Sequence, residues 1–220
     1  MIRIKFLIVA VLLCASPWLA RGQTPNDDVP RYEIGAQFTS ITKPNFDGGH
    51  TEVGPGVRFT LNLNRSIALE AVGNFFPHKC GSCGVAGDNN GNITQGLFGV
   101  KAGKRFKRWG IFAKGRPGFV SFSQGDSKYV TTGSGGSFPF EFRHHRLTNF
   151  AMDIGGVVEF YPSKRIVTRF DAGDTLIKYR SRETNFIGFD PVTGVRLIPF
   201  TIPGETRHNF QFSAGVGFRF

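Results

Sequence analysis

Three groups of residues in this chain have the types and spacing to do chemistry. Cys80 and Cys83 are two residues apart in a glycine-rich stretch. In an exported chain the default for such a pair is a small loop disulfide. The alternatives are a metal site with His78, a redox dithiol, or two free thiols. Zinc usually needs four ligands, and His78 is the one further ligand nearby. A redox motif needs a βαβ context that is not visible here. The second group is His144 and His145 with Ser121 and Ser123, a base and a nucleophile brought close if their segments are neighbours. Its only candidate orienting carboxylate is Glu141, and adjacent histidines in a basic loop are more often simply solvated. The third group is a set of ten charges on one face of successive extended segments. These are Glu33, Arg58, Glu70, Lys101, Lys114, Arg116, Asp153, Glu159, Arg169 and Asp171, with Arg219 on the same face.

The segments that position these residues alternate with period two. The last stretch is the clearest. Phe210, Phe212, Ala214, Val216, Phe218 and Phe220 alternate with Asn209, Gln211, Ser213, Gly215, Gly217 and Arg219. The same pattern begins at Tyr32, Val53, Ile67, Leu97, Trp109, Asn149 and Ile166, which makes eight strands. Pro55 and Pro117 lie within strands and each removes a ladder donor, so a local bulge is expected at both.

Connection lengths alternate as strictly as the side chains. Long connections run over 42–51, 77–92, 123–147 and 180–206. Tight turns fall at Asn64-Arg65, Lys107-Arg108 and Pro162-Ser163-Lys164. All long loops therefore gather at one end. This is the pattern of an all-β, eight-stranded antiparallel up-and-down transmembrane β-barrel. Aromatics gather near both strand ends, as at two membrane interfaces. Tyr32, Phe106, Trp109, Phe160, Tyr161, Phe218 and Phe220 form one belt. Phe38, Phe75, Phe76, Phe119, Phe122 and Tyr179 form the other. A soluble lipocalin-like carrier or a sandwich would need the apolar face as its interior, and would have no reason to sort aromatics by height.

Composition agrees. There are 29 glycines in 220 residues, nearly twice the usual share of roughly 7%. Phe numbers 24 against 2 Trp and 4 Tyr. The hydrophobic fraction of 40% is too low for a polytopic helical membrane protein and too high for a disordered chain.

Residues 1–22 read as a secretory signal peptide: Arg3 and Lys5, an apolar run of about ten residues, then Ala20-Arg21-Gly22. The run is too short to span a membrane as a helix, which takes about 20 residues. Leu13 before Cys14 departs from a lipidation site. Residues 23–30 form a short N-terminal segment and 31–220 the barrel domain. Cleavage takes the formal charge from +11 to +8, spread along the chain. Export removes nucleic acid as a partner, leaving anionic lipid or glycolipid surfaces as the electrostatic neighbours.

At this point residues 30–220 resemble the OmpA-like family of eight-stranded outer-membrane β-barrels. Ser213, Gly215, Phe218 and Phe220 resemble the terminal signal read by the barrel-assembly machinery. Arg169–Thr175 is similar to the penultimate strand of many such barrels. No peptidoglycan-binding domain is expected after the barrel. The resemblance implies a location in the cell outer membrane, with outer-membrane lipids, lipopolysaccharide and the assembly machinery as partners.

An eight-stranded barrel is filled by its own side chains. The lumen charges are therefore expected to pair and hold it shut. The expected role is structural or surface-interacting, with no catalytic, cofactor or metal set and no ligand named for the long loops. The glycine-rich segment Gly133–Ser137 lacks the Lys and following helix of a phosphate loop. Three other functions stay open. One is a narrow gated channel. Another is a lipid A-modifying enzyme, with the Ser–His group at the long-loop end. The last is the soluble carrier.

Overall fold

A computed structural model describes residues 29–43, 50–77, 91–131, 140–190 and 194–220. The signal peptide, the Cys80–Cys83 pair with His78, and Gly133–Ser137 lie outside the described residues.

Ten strands form. They are β1 Tyr32–Lys43, β2 His50–Asn62, β3 Ile67–Phe76, β4 Ile93–Arg105, β5 Trp109–Thr131, β6 Phe140–Phe160, β7 Ile166–Lys178, β8 Arg182–Asp190, β9 Gly194–Ile202 and β10 Thr206–Arg219. Eight close a barrel in the order β1-β10-β7-β6-β5-β4-β3-β2, and β8 and β9 make a separate hairpin. All pairings are antiparallel. The seam between first and last barrel strands runs from Glu33↔Arg219 to Thr42↔Phe210. At its base, Tyr32 and Phe220 exchange two backbone hydrogen bonds of 2.9 Å each. Closure leaves the barrel itself without an unpaired edge, the requirement for β-structure in an apolar solvent.

The short turns are built from their own side chains. Asn64 Oδ1 accepts from the backbone N–H of Ser66 and Ile67 at 2.7 and 2.8 Å. Ser163 Oγ accepts from Ile166 N–H at 3.1 Å.

The faces are the inverse of a soluble protein. Phe38, Val57 and Phe98 are 69%, 65% and 59% exposed, while Glu70, Lys101 and Arg169 are at 0%. Apolar residues outside and charges inside are stable only when hydrocarbon surrounds the barrel. Inward glycines let the strands crowd. A Cβ on Gly99 would strike the backbone of Gly115 and Arg116, and Gly155 and Gly173 face each other with the same restriction.

Four sequence expectations are corrected. First, neither proline makes a bulge. Pro55 pairs with Phe38 in unbroken register, and the β2–β3 ladder begins at Gly56, beside it. Around Pro117 the β4–β5 ladder skips from Leu97–Gly118 to Val100–Gly115 without slipping. The lost donor removes a rung and adds no residue. Among the described residues the one register shift lies between Phe122 and Asp126. Second, the connection 123–147 is mostly strand: β5 and β6 run on beyond the barrel as a hairpin. Third, 180–206 holds the β8–β9 hairpin, with Gly194 at φ +80°. It docks on β5, where Asn185 receives the Tyr129 N–H at 2.8 Å and donates to the Tyr129 carbonyl at 2.9 Å.

Fourth, the belt at the long-loop end is thinner than expected. Phe38, Phe75 and Phe119 face outward, but Phe76 and Phe122 are buried inside and Tyr179 packs with them. Strand parity explains this, since adjacent Phe75 and Phe76 cannot share a face. At the short-turn end Tyr32, Phe218 and Phe220 cluster, Phe106 stacks on Trp109 with centroids 4.2 Å apart, and Phe160 meets Phe170. Tyr161 instead turns inward.

Candidate functional site: the layered lumen

The inward positions sort into layers along the barrel axis. At the short-turn mouth, Arg219 Nε lies 3.2 Å from Glu33 Oε1. Arg105 Nη2 lies 3.7 Å from Glu33 and 3.6 Å from Glu159, and donates to Asn62 Oδ1 at 3.1 Å. Asn62 in turn donates to Glu33 at 2.9 Å. The Tyr161 hydroxyl donates to Glu159 Oε2 at 2.8 Å and accepts from Arg105 Nε at 2.9 Å. Burial first, and the Glu159 charge second, raise its pKa above the ordinary tyrosine range, so it remains a proton donor.

The next layer is an ion network centred on Glu70. This carboxylate on β3 takes both Nη atoms of Arg169 from β7, across the barrel. It also meets Arg116 Nη1 at 3.3 Å and Lys101 Nζ at 3.5 Å. Lys101 bonds Glu159. Arg116 grips Asp153 through Nε at 2.9 Å and Nη2 at 2.5 Å. Lys114 sits 3.0 Å from Asp153 and 3.8 Å from Asp171. Arg169 binds Asp171 at 3.0 and 2.8 Å, closing the circuit. Arg58 donates to Gln37 at 3.2 Å.

Above the ions lies a strap of amides. Gln37 donates to Asn74 at 2.9 Å, Asn74 to Gln95 at 2.6 Å, and Gln95 to Gln211 at 2.9 Å. Thr175 donates to the same Gln211 oxygen at 2.8 Å. Strands β4 and β10 stand opposite in the barrel order, so this chain of side chains crosses the lumen. The last layer, at the long-loop end, is apolar. Ile41, Phe76, Ile93, Phe122 and Ile177 pack with Val120, and Phe122 stacks on Tyr179 with centroids 6.0 Å apart.

The structure therefore brings together all ten lumen charges that period two singles out. Several participants lay outside that set, the strap amides Gln37, Asn74, Gln95 and Gln211 among them. Arg105 and Tyr161 sit at the strand ends, where alternation gives way to turns. The apolar cap was masked by counting its aromatics as belt residues, and strand parity was the signal that could have found it. Of the terminal-signal residues, Ser213 faces the lumen and hydrogen-bonds Thr39 at 2.9 Å, while Phe218 and Phe220 lie in the outer girdle.

Ser121 is not brought to the histidines. Ser121 stands opposite Thr148, and their hydroxyls are 2.9 Å apart. His144 and His145 stand opposite Ser127 and Asp126 in the extended hairpin, exposed to solvent. Three residues separate His145 from Thr148, about 10 Å at the usual strand rise. Among the described residues no group of three or more His, Cys, Asp or Glu could hold a metal ion. Among the described residues no helix is long and apolar enough to span a membrane, which does not bear on strands.

No family model and no curated protein matches the chain. Solved structures do. Neisserial surface protein A is 10% identical with a TM-score of 0.51, over 86% of this chain and 97% of that one. The attachment invasion locus protein Ail of Yersinia pestis is 15% identical with a TM-score of 0.42, over 87% and 99%. Outer membrane protein H of P. aeruginosa is 15% identical with a TM-score of 0.39, over 86% and 99%. The first likeness is one of fold, and the fold is that of the eight-stranded outer-membrane β-barrels.

Proposed function

We propose that this barrel is a non-conducting outer-membrane protein whose role is structural and surface-interacting, exercised by the two hairpins at its long-loop end. In this reading the short turns face the periplasm, the long-loop end faces outward, and a signal peptide delivers the chain. Terminal residues Ser213, Gly215, Phe218 and Phe220 engage the assembly machinery during insertion.

The observation that carries the reading is the crossing of the lumen. Glu70–Arg169 and Gln95–Gln211 each join opposite walls, and an apolar cap lies above them. Transport would have to break several buried bonds at once. What the fold leaves available is the surface beyond the barrel. There β8–β9, braced on β5, presents Phe186, Phe189, Val195 and Phe200, with Phe189 78% exposed. Exposed apolar clusters of this kind mark contact surfaces, and loops on a rigid scaffold commonly carry binding. Below the hairpins Lys178 stands beside Phe150, both exposed, a position suited to glycolipid phosphates.

The test uses intact cells expressing the full chain and alkyl-coated beads as the probe. The protein should fractionate with the outer membrane and change gel mobility on boiling. Cells should be retained on the beads, and Phe186→Ser/Phe189→Ser should lower retention severalfold while leaving the heat shift intact. Equal retention of both forms would remove the hairpin as the contact surface. A soluble product without a heat shift would remove the membrane reading.

A further inference from the structure

The short-turn mouth holds a cavity of about 650 Å³. Its lining includes Arg65 from the β2–β3 turn, Lys107 from the β4–β5 turn and Lys164 from the β6–β7 turn. Arg105 and Arg219 form its floor, with Tyr161 beside them. Among the described residues, none that lines it is acidic. The two carboxylates of this layer, Glu33 and Glu159, sit behind the floor arginines, and Glu159 is shared with Lys101. Five cations from separate parts of the sequence thus converge on one concavity. As a linear sequence they look like scattered solvated turn residues.

The floor is unsaturated. Arg105 is 7% exposed at its side chain, and its Nη2 and Nε have partners. Its buried Nη1 has no hydrogen-bond partner among the described residues. The Arg105 guanidinium also lies over the Tyr161 ring, 5.5 Å from its centroid, and charged N–H donors suit anionic oxygens. The guanidinium fork suits the oxygens of a phosphate group, and lysines on surrounding turns add point charges. Behind the floor the lumen is crossed by the ion network and the amide strap, so an anion entering here has no onward path.

We propose that the short-turn mouth is a binding site for a phosphate-bearing anion, held on Arg105 and Arg219 and enclosed by Arg65, Lys107 and Lys164. A volume of this size takes a phospholipid headgroup or a free phosphate compound, which share the chemistry. Phe106, in the lining and stacked on the girdle residue Trp109, gives the cavity an apolar shoulder on the membrane side. The proposed orientation serves only to name the periplasm as the compartment. The binding itself is measured in detergent and does not depend on it.

The test is calorimetric titration of the full chain in a maltoside detergent, with inorganic phosphate and with dihexanoyl phosphatidic acid as separate probes. Saturable one-to-one binding of either probe is expected. Binding of the lipid alone identifies a headgroup site, and comparable binding of both identifies a general phosphate site. Arg105→Gln should weaken binding at least tenfold. Because Arg105 also bridges Glu33 and Glu159, Lys107→Gln/Lys164→Gln is the second variant. It touches only turn residues and should weaken binding severalfold with the heat shift unchanged. Arg108→Gln/Arg165→Gln removes two turn cations that do not line the cavity, and should change binding less than twofold. Absence of saturable binding, or equal loss in the two double variants, would overturn the site.

Discussion

Glu70 and Phe76 lie on the same strand, three inward positions apart, and both are fully buried. Around Glu70 the lumen is filled by charges fixed by one another. Around Phe76 it is filled by hydrocarbon and one aromatic stack. The charged half meets three cations at one carboxylate, and its bonds reach across the barrel. The apolar half has no directional bonds, so its closure depends on volume alone. One barrel is thus closed by two kinds of matter, with different penalties for damage. An ion network fails when a partner is lost. A packed cap fails in proportion to the void left.

Four substitutions sharpen or break that contrast. The largest effect is expected at Glu70→Ala. It leaves Arg169, Arg116 and Lys101 short of their shared carboxylate, and should cost about 3–5 kcal/mol in urea unfolding from vesicles. If the loss were under about 1 kcal/mol, the network would be ornamental to stability. Phe76→Ala comes next, at about 3 kcal/mol or somewhat more, because truncating a buried Phe costs the transfer energy and the cavity. A small effect would mean that the cap collapses freely.

Gln95→Leu should cost about 1–3 kcal/mol by leaving Asn74 and Gln211 with unmet bonds. The same unfolding assay reads it. The smallest effect is expected at Glu141→Gln. Its partner Arg143 lies 2.9 Å away, but both side chains are about half exposed. Exposed pairs contribute at most about 1 kcal/mol, so its unfolding curve should nearly overlay that of the unaltered chain.

Legibility in the sequence followed the same division. The charges were legible because alternation is strict where they occur, and a charge on the inward parity of a β-strand has one place to go. Their partners were not. Glu70 reaches Arg169 from β3 to β7, a relation set by strand tilt and closure and absent from any local pattern. Phe76 and Phe122 lie near strand ends, where belt residues belong, but parity turns both inward. The β8–β9 hairpin was hidden because Phe186-Ile187-Gly188-Phe189 does not alternate. It pairs by backbone register, with no buried face to sort its side chains. At Pro55 and Pro117 the missing donor was legible and its consequence was not, since the neighbouring rungs hold the register.

The most direct test of the central claim is single-channel recording of the purified barrel in planar bilayers, for the unaltered chain and for Phe76→Ala. The account predicts no unitary steps in either, because the amide strap and the ion network still cross the lumen when the cap is weakened. Steady unitary conductance from the unaltered chain would contradict it, and would make the layered lumen a pathway in place of a plug.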